Sequence, residues 1–80
     1  MLKISIAYCT VLHFTDRAVS LANELLNNLE PEIESITLIP SHGGRYEVTV
    51  NDTLVYSKLQ TGRHAEPGEA LELVRKFSKR

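Results

Sequence analysis

Between Ala18 and Leu29 the apolar residues Ala18, Leu21, Ala22, Leu25, Leu26 and Leu29 recur at helical spacing, and Pro31 closes the run. That spacing draws one apolar stripe along a helix of roughly four to five turns. Asn23, Glu24, Asn27 and Asn28 fall on the other side. The residue ahead of a proline is pushed out of the α region, so the helix stops before Pro31. Both flanks of this helix read as strands. Leu2-Lys3-Ile4-Ser5-Ile6-Ala7-Tyr8 alternates apolar and polar residues, and Ile33 to Ile39 is β-rich and ends at Pro40. Two strands joined through a helix lie parallel with a right-handed crossover.

The rest of the chain adds a hairpin and a second helix. Ser41-His42-Gly43-Gly44 is a loop. Arg45 to Val50 alternates, with Tyr46, Val48 and Val50 on one face. Asn51-Asp52 tolerates positive φ and predicts a tight hairpin. Thr53 to Leu59 is the return strand, with Leu54 and Tyr56 on one face and Val55 on the other. Gln60 to Gly68 is a polar loop. Pro67 suits the first turn of a last helix, and Glu69 favours its positive end. Ala70, Leu71, Leu73, Val74 and Phe77 form the buried side of that helix, with Arg75, Lys76 and the basic tail Lys79-Arg80 at its negative end.

The predicted order is β-α-β-β-β-α. It specifies an α/β (α+β) fold: a mixed four-stranded sheet with both helices on one face, a minimal thioredoxin-like core. A ferredoxin-like fold needs a further strand after the last helix. A double-stranded-RNA-binding domain matches everything after the first strand, but such domains start their last helix with basic residues, and here the start is Glu66-Pro67-Gly68-Glu69.

Eighty residues make a single domain, 1–80. A chain of this size is near the lower limit for folding on an apolar core alone. Cys9 is the only cysteine, so no internal disulfide supplements the core, and the 42% hydrophobic content must supply it. Nine basic and ten acidic residues leave a formal charge of −1. That balance gives little support to nucleic-acid binding, which draws on phosphate neutralisation. No apolar run is long enough to span a bilayer, and no signal segment is apparent. The expected compartment is the cytoplasm, where a single cysteine stays reduced.

Cys9 is the principal candidate for chemistry. It follows the first strand and precedes the first helix, so its thiol is expected to face unpaired N–H groups and the positive end of the helix dipole. Both favour the thiolate, which is the nucleophile of disulfide exchange. His13 lies four residues on and shares a face with Cys9 if the helix has begun by then. The plainer reading is a small buried hydrophobe that only packs.

Tyr8-Cys9 after an alternating strand and before an amphipathic helix resembles the start of the selenoprotein W-like (Rdx) family, whose members read Tyr-Cys-x-x-Cys or Tyr-Cys-x-x-selenocysteine followed by an aromatic residue. Here the run is Tyr8-Cys9-Thr10-Val11-Leu12-His13-Phe14. Gly43-Gly44 leading into Tyr46-Glu47-Val48 resembles the family's Gly-Gly-x-Phe-Glu-Val. Leu54-Val55-Tyr56-Ser57-Lys58 resembles its Leu-Ile-Trp-Ser-Arg strand, Gly62-Arg63-His64 its Gly-Arg-Phe, and Leu73-Val74-Arg75 its last helix. The resemblance implies a thioredoxin-like fold and thiol redox chemistry at Cys9. The departure is Leu12, which occupies the second redox position and removes the internal resolving thiol. Three outcomes stay open: a monothiol resolved by glutathione or a partner protein, a thiol that only senses oxidation or forms mixed disulfides with clients, or an interaction module without redox activity. Leu12 also makes the site more apolar, which opposes ionisation.

The remaining candidates are weaker. Gly43 and Gly44 are expected near the Cys9 end of the sheet and, with His13, are candidates for a binding surface beside the thiol. His13, His42 and His64 are too scattered for a motif. A closed structural zinc site needs four ligands, and Cys9 with His13 supplies two, so no metal is expected. Tyr8, Tyr46 and Tyr56 read as core or sheet-face aromatics. No resident cofactor is expected, with glutathione as a possible co-substrate. The expected partners are glutathione or a protein, the latter by strand addition at a sheet edge, with no nucleic acid and no membrane. The chain is expected to be a monomer or a weak dimer through that edge.

Overall fold

The structure, a computed structural model, describes residues 1–78. The basic tail Lys79-Arg80 lies outside the described residues. Strand β1 spans Leu2–Cys9, helix α1 Thr15–Leu29, β2 Ile33–Ser41, β3 Tyr46–Val50 and β4 Thr53–Ser57. A one-turn helix α2 covers Lys58–Thr61, and α3 covers Glu69–Arg75. The strands form one mixed sheet in the order β2-β1-β3-β4. β1 pairs parallel with β2, with Cys9 opposite Ser41, and antiparallel with β3, with Tyr8 opposite Tyr46. β1 therefore lies inside the sheet, which a double-stranded-RNA-binding arrangement has no place for.

The helices lie against one face. Leu2, Ile4, Ile6 and Tyr8 of β1 and Tyr46, Val48 and Val50 of β3 point into the core. Ala18, Leu21, Leu25 and Leu29 of α1 and Ala70, Leu71 and Val74 of α3 close over them. Burying one such aliphatic side chain contributes about 1.5–3 kcal/mol, and with no disulfide this core is the main source of stability. The other sheet face carries Lys3, Ser5, Thr37, Glu47 and Thr49, none of them buried.

The chain punctuation has local causes. α1 ends where predicted, and Pro31 sits in the first turn of a 3₁₀ segment, Glu30–Glu32. Asn51 and Asp52 both take positive φ, 48° and 73°, and make the expected two-residue hairpin. The hairpin departs from strict alternation, however. Val48 pairs with Tyr56 but Thr49 pairs with Leu54, so β4 carries a bulge around Val55. One extra residue inverts the facing of what precedes it. Tyr56 is therefore buried at 4% exposure while Leu54 stands 41% exposed, on the opposite side from the expectation.

Two further boundaries move. The return strand stops at Ser57 rather than Leu59, because the Ser57 hydroxyl accepts from the Gln60 N–H at 3.3 Å and caps α2. Gly62, at φ 77°, ends that turn. The last helix begins at Glu69 rather than at Pro67, because Gly68 at φ 81° interrupts any helix ahead of it.

Candidate functional site

Cys9 is the last residue of β1. Its backbone N–H donates to the Arg45 carbonyl at 2.8 Å, and its carbonyl accepts from the Phe14 N–H at 3.1 Å. The second bond closes a turn over residues 10–14. Inside that turn the His13 N–H donates to the Thr10 carbonyl at 3.1 Å, with His13 itself at φ 60°. A non-glycine residue in the left-handed region is uncommon, and here it delays the start of α1 until Thr15. The helix has thus not begun at Cys9. The condition under which Cys9 and His13 share a helical face is not met, and His13 is an exposed turn residue.

The helix dipole is likewise displaced from the thiol. What faces the sulfur is the turn's own backbone. The Leu12 N–H is the principal donor, and with lesser help from the N–H groups of Gly44 and Val11 it holds the Cys9 thiol below its ordinary pKa, against an opposing contribution from burial. Successive N–H groups aimed at one point make an anion-binding concavity. The apolar Leu12 side chain was expected to oppose ionisation, but it is 52% exposed, while its backbone supplies the strongest stabilisation. Cys9 as a whole residue is 2% exposed.

The loop after β2 completes the concavity from the other side. Parallel pairing of β1 with β2 delivers residues 42–44 to the Cys9 end. The Thr10 N–H donates to the Ser41 carbonyl at 3.2 Å, and the Arg45 guanidinium donates to the His42 carbonyl at 3.0 Å. Gly43 and Gly44 take φ 73° and 75°, the conformation that directs the Gly44 N–H to the sulfur. A Cβ on Gly44 would stand 3.8 Å from Leu12 Cδ1. Of the candidate surface residues, Gly44 is thus brought to the thiol through its backbone. Gly43 lies one residue away in the same loop, and no contact joins His13 to the sulfur.

Eight residues of strand with a cysteine at the end, a turn, a helix and a glycine-paired return loop make up the architecture that the comparisons with known proteins match. The model of the Rdx family matches residues 3–76. The chain belongs to the Rdx family. A selenoprotein W-related protein from Vibrio cholerae superposes with a TM-score of 0.89 at 32% identity, covering 95% of this chain and 95% of that one. A protein from Bordetella parapertussis superposes with a TM-score of 0.90 at 26% identity, covering 96% of this chain and 98% of its own. No curated protein matches the chain. The mixed sheet with helices on one face is the thioredoxin-like fold of these Rdx relatives.

Beside the Rdx thiol turn lies a cluster that the sequence reading did not assemble. Phe14, buried, meets the His64 ring edge-on at 4.6 Å between centroids. Tyr46 meets His64 at 5.8 Å and Phe14 at 6.4 Å. Lys58 Nζ stands 5.8 Å from the Phe14 centroid. The Tyr46 hydroxyl donates to the Arg17 carbonyl at 3.1 Å, and burial pushes its pKa up to about 12. The only signal for His64 was its place in the Gly62-Arg63-His64 stretch, since nothing in periodicity joins residue 64 to residue 14. Among the described residues, no three His, Cys, Asp or Glu side chains are grouped as metal ligands. None of the described helices is long and apolar enough to cross a membrane.

Proposed function

We propose that this Rdx-family protein works as a monothiol, with Cys9 exchanging with a disulfide of glutathione or of a partner protein. The observation that carries the reading is the Leu12 N–H turned to the Cys9 sulfur, with Gly44 and Val11 beside it. A thiolate held this way attacks one sulfur of a disulfide. A Cys9 mixed disulfide forms, and the other sulfur leaves as a thiolate. Because position 12 is leucine, the second attack comes from an external thiol, which displaces Cys9 as a thiolate and carries the bound sulfur away in a new disulfide, so that one turnover exchanges one thiol for another in the disulfide. A second external thiol attacking that new disulfide completes the two-electron reduction, the two external thiols leaving joined as a disulfide.

Iodoacetamide alkylation of the folded protein across pH, with intact mass after exposure to oxidised glutathione, tests this reading. An apparent pKa below the free-cysteine value of ~8.5 and a single glutathione adduct are expected. An apparent pKa at or above that value, with no adduct, would sink it.

A second reading is a noncatalytic interaction module. It draws on the near-complete burial of Cys9, at 2% exposure, beneath a turn whose Val11 is 74% exposed. Partner capture under oxidising conditions that is unchanged by Cys9→Ser favours this reading, and capture abolished by it favours the monothiol.

A further inference from the structure

The His64 ring occupies an unusual place for a titratable group. Its Nδ1 is buried and has no hydrogen-bond partner among the described residues. Its ring packs edge-on against Phe14 at 4.6 Å and against Tyr46 at 5.8 Å. The charged groups that face it are Arg17 from α1 and Lys58 from α2, both cations, and burial together with these two charges lowers its pKa. Tyr46, from β3, stays neutral at any physiological pH. Arg63, beside His64 in the loop, and Glu69, at the start of α3, neutralise each other through two bonds of 2.8 and 2.9 Å. Among the described residues, no carboxylate is within ion-pairing reach of the imidazole.

The backbone under this ring is held firmly. The Arg63 carbonyl accepts from the Tyr56 and Thr61 hydroxyls, and the Glu66 N–H donates to Glu69 Oε1 at 2.8 Å. The ring is therefore the part free to respond when it gains a proton. Phe14, its nearest aromatic contact, is also the residue whose N–H closes the turn on the Cys9 carbonyl. That turn carries the Leu12 and Val11 N–H groups that face the thiol.

We propose that His64 is a positioning residue for Cys9, acting through Phe14: the neutral imidazole clamps Phe14 and so holds the 10–14 turn closed on the sulfur, and protonation releases it. A protonated ring would carry two N–H donors into a site with no acceptor at Nδ1 and with two cations alongside. It is relieved by moving toward water, which leaves Phe14 without its packing partner. The inference rests on the monothiol reading for its purpose, but its physical content is tested separately.

The test compares wild type with His64→Phe, which keeps an aromatic ring and removes the titratable nitrogens. Backbone amide NMR shifts of Leu12 and Phe14 are followed from about pH 8 to about pH 5, the range in which histidine changes charge. Cys9 alkylation is followed over the same range. His13 and His42 remain in the variant, so only the difference between the two proteins reports on His64. The expected result is a pH-dependent shift of both amides that is larger in wild type than in His64→Phe, together with a lower second inflection in the wild-type alkylation profile that the variant lacks. Amide shifts identical in the two proteins would overturn the inference, even if Cys9 proves a reactive monothiol. Shifts that shrink in the variant support the clamp, even if the thiol pKa at higher pH sinks the monothiol reading.

Discussion

The backbone N–H of Leu12 faces the sulfur of Cys9, three residues earlier in the chain, while the Leu12 side chain turns outward. The residue that removes the second redox group thus still serves the first one through its main chain. Leu12→Ala should therefore leave the Cys9 pKa below the free-thiol value of ~8.5. It should also change stability by no more than about 0.5 kcal/mol, as substitutions at exposed positions do. The pH profile of alkylation checks the first expectation and a urea titration the second. A rise of the thiol pKa to the free value would show that the leucine side chain, not the amide, governs the site.

Gly44 reaches the same sulfur from the far side at φ 75°. A side chain in the left-handed region costs about 1–2 kcal/mol, so Gly44→Ala should destabilise by about that much and raise the Cys9 pKa. Gly62→Ala is the control. Gly62 has φ 77° with nothing within 4 Å of an added Cβ, so it should show a similar loss of stability with the thiol unchanged. Equal thiol behaviour in the two variants would separate Gly44 from the anion-binding role.

Tyr56 lies under the bulge of β4, and its hydroxyl bonds Thr61 at 3.0 Å as well as the Arg63 carbonyl. Tyr56→Phe should cost about 0.5–1.5 kcal/mol in urea unfolding, the usual net worth of such a bond. Amide exchange in residues 61–64 should rise with it. A loss of stability with exchange there unchanged would assign the hydroxyl to packing of β4 alone.

Glu69 is held at about 2, against 4.5 for the free group, first by its hydrogen bonds from Arg63 and then by the Glu66 N–H. Because the folded pKa is depressed, the stabilisation is complete above the unfolded value of 4.5 and is lost as pH falls toward about 2. Glu69→Gln should therefore be less stable than wild type near neutrality, and the gap should close over that acid window. Arg63 is exposed and Glu69 only half-buried, so the gap is expected to be small and to shrink in high salt. Chemical unfolding at a series of pH values measures it, and a gap that persists at the acid end would assign the effect to the loop's packing.

The sequence by itself determined everything that rests on local repetition. The apolar stripe of α1, its end before Pro31, the alternation of β1 and β3 and the Asn51-Asp52 turn are short-range patterns, and the parallel β1–β2 pairing follows from the helix between them. That pairing also placed residues 43 and 44 at the Cys9 end. Tertiary structure decided what depends on backbone conformation at single residues and on contacts between distant ones. The bulge at Val55 reversed Leu54, and the left-handed His13 kept α1 from beginning at the thiol. The resulting turn exchanged an expected helix-dipole site for three backbone N–H groups, one of them from Gly44 in another loop. The contact of His64 with Phe14 belongs here too, because side chains so far apart in the chain meet only once the sheet and both helices have packed. A donor nest is made of main-chain atoms, which every residue carries alike. Residue type at position 12 therefore announced the missing thiol, and only the folded backbone disclosed what took its place beside Cys9.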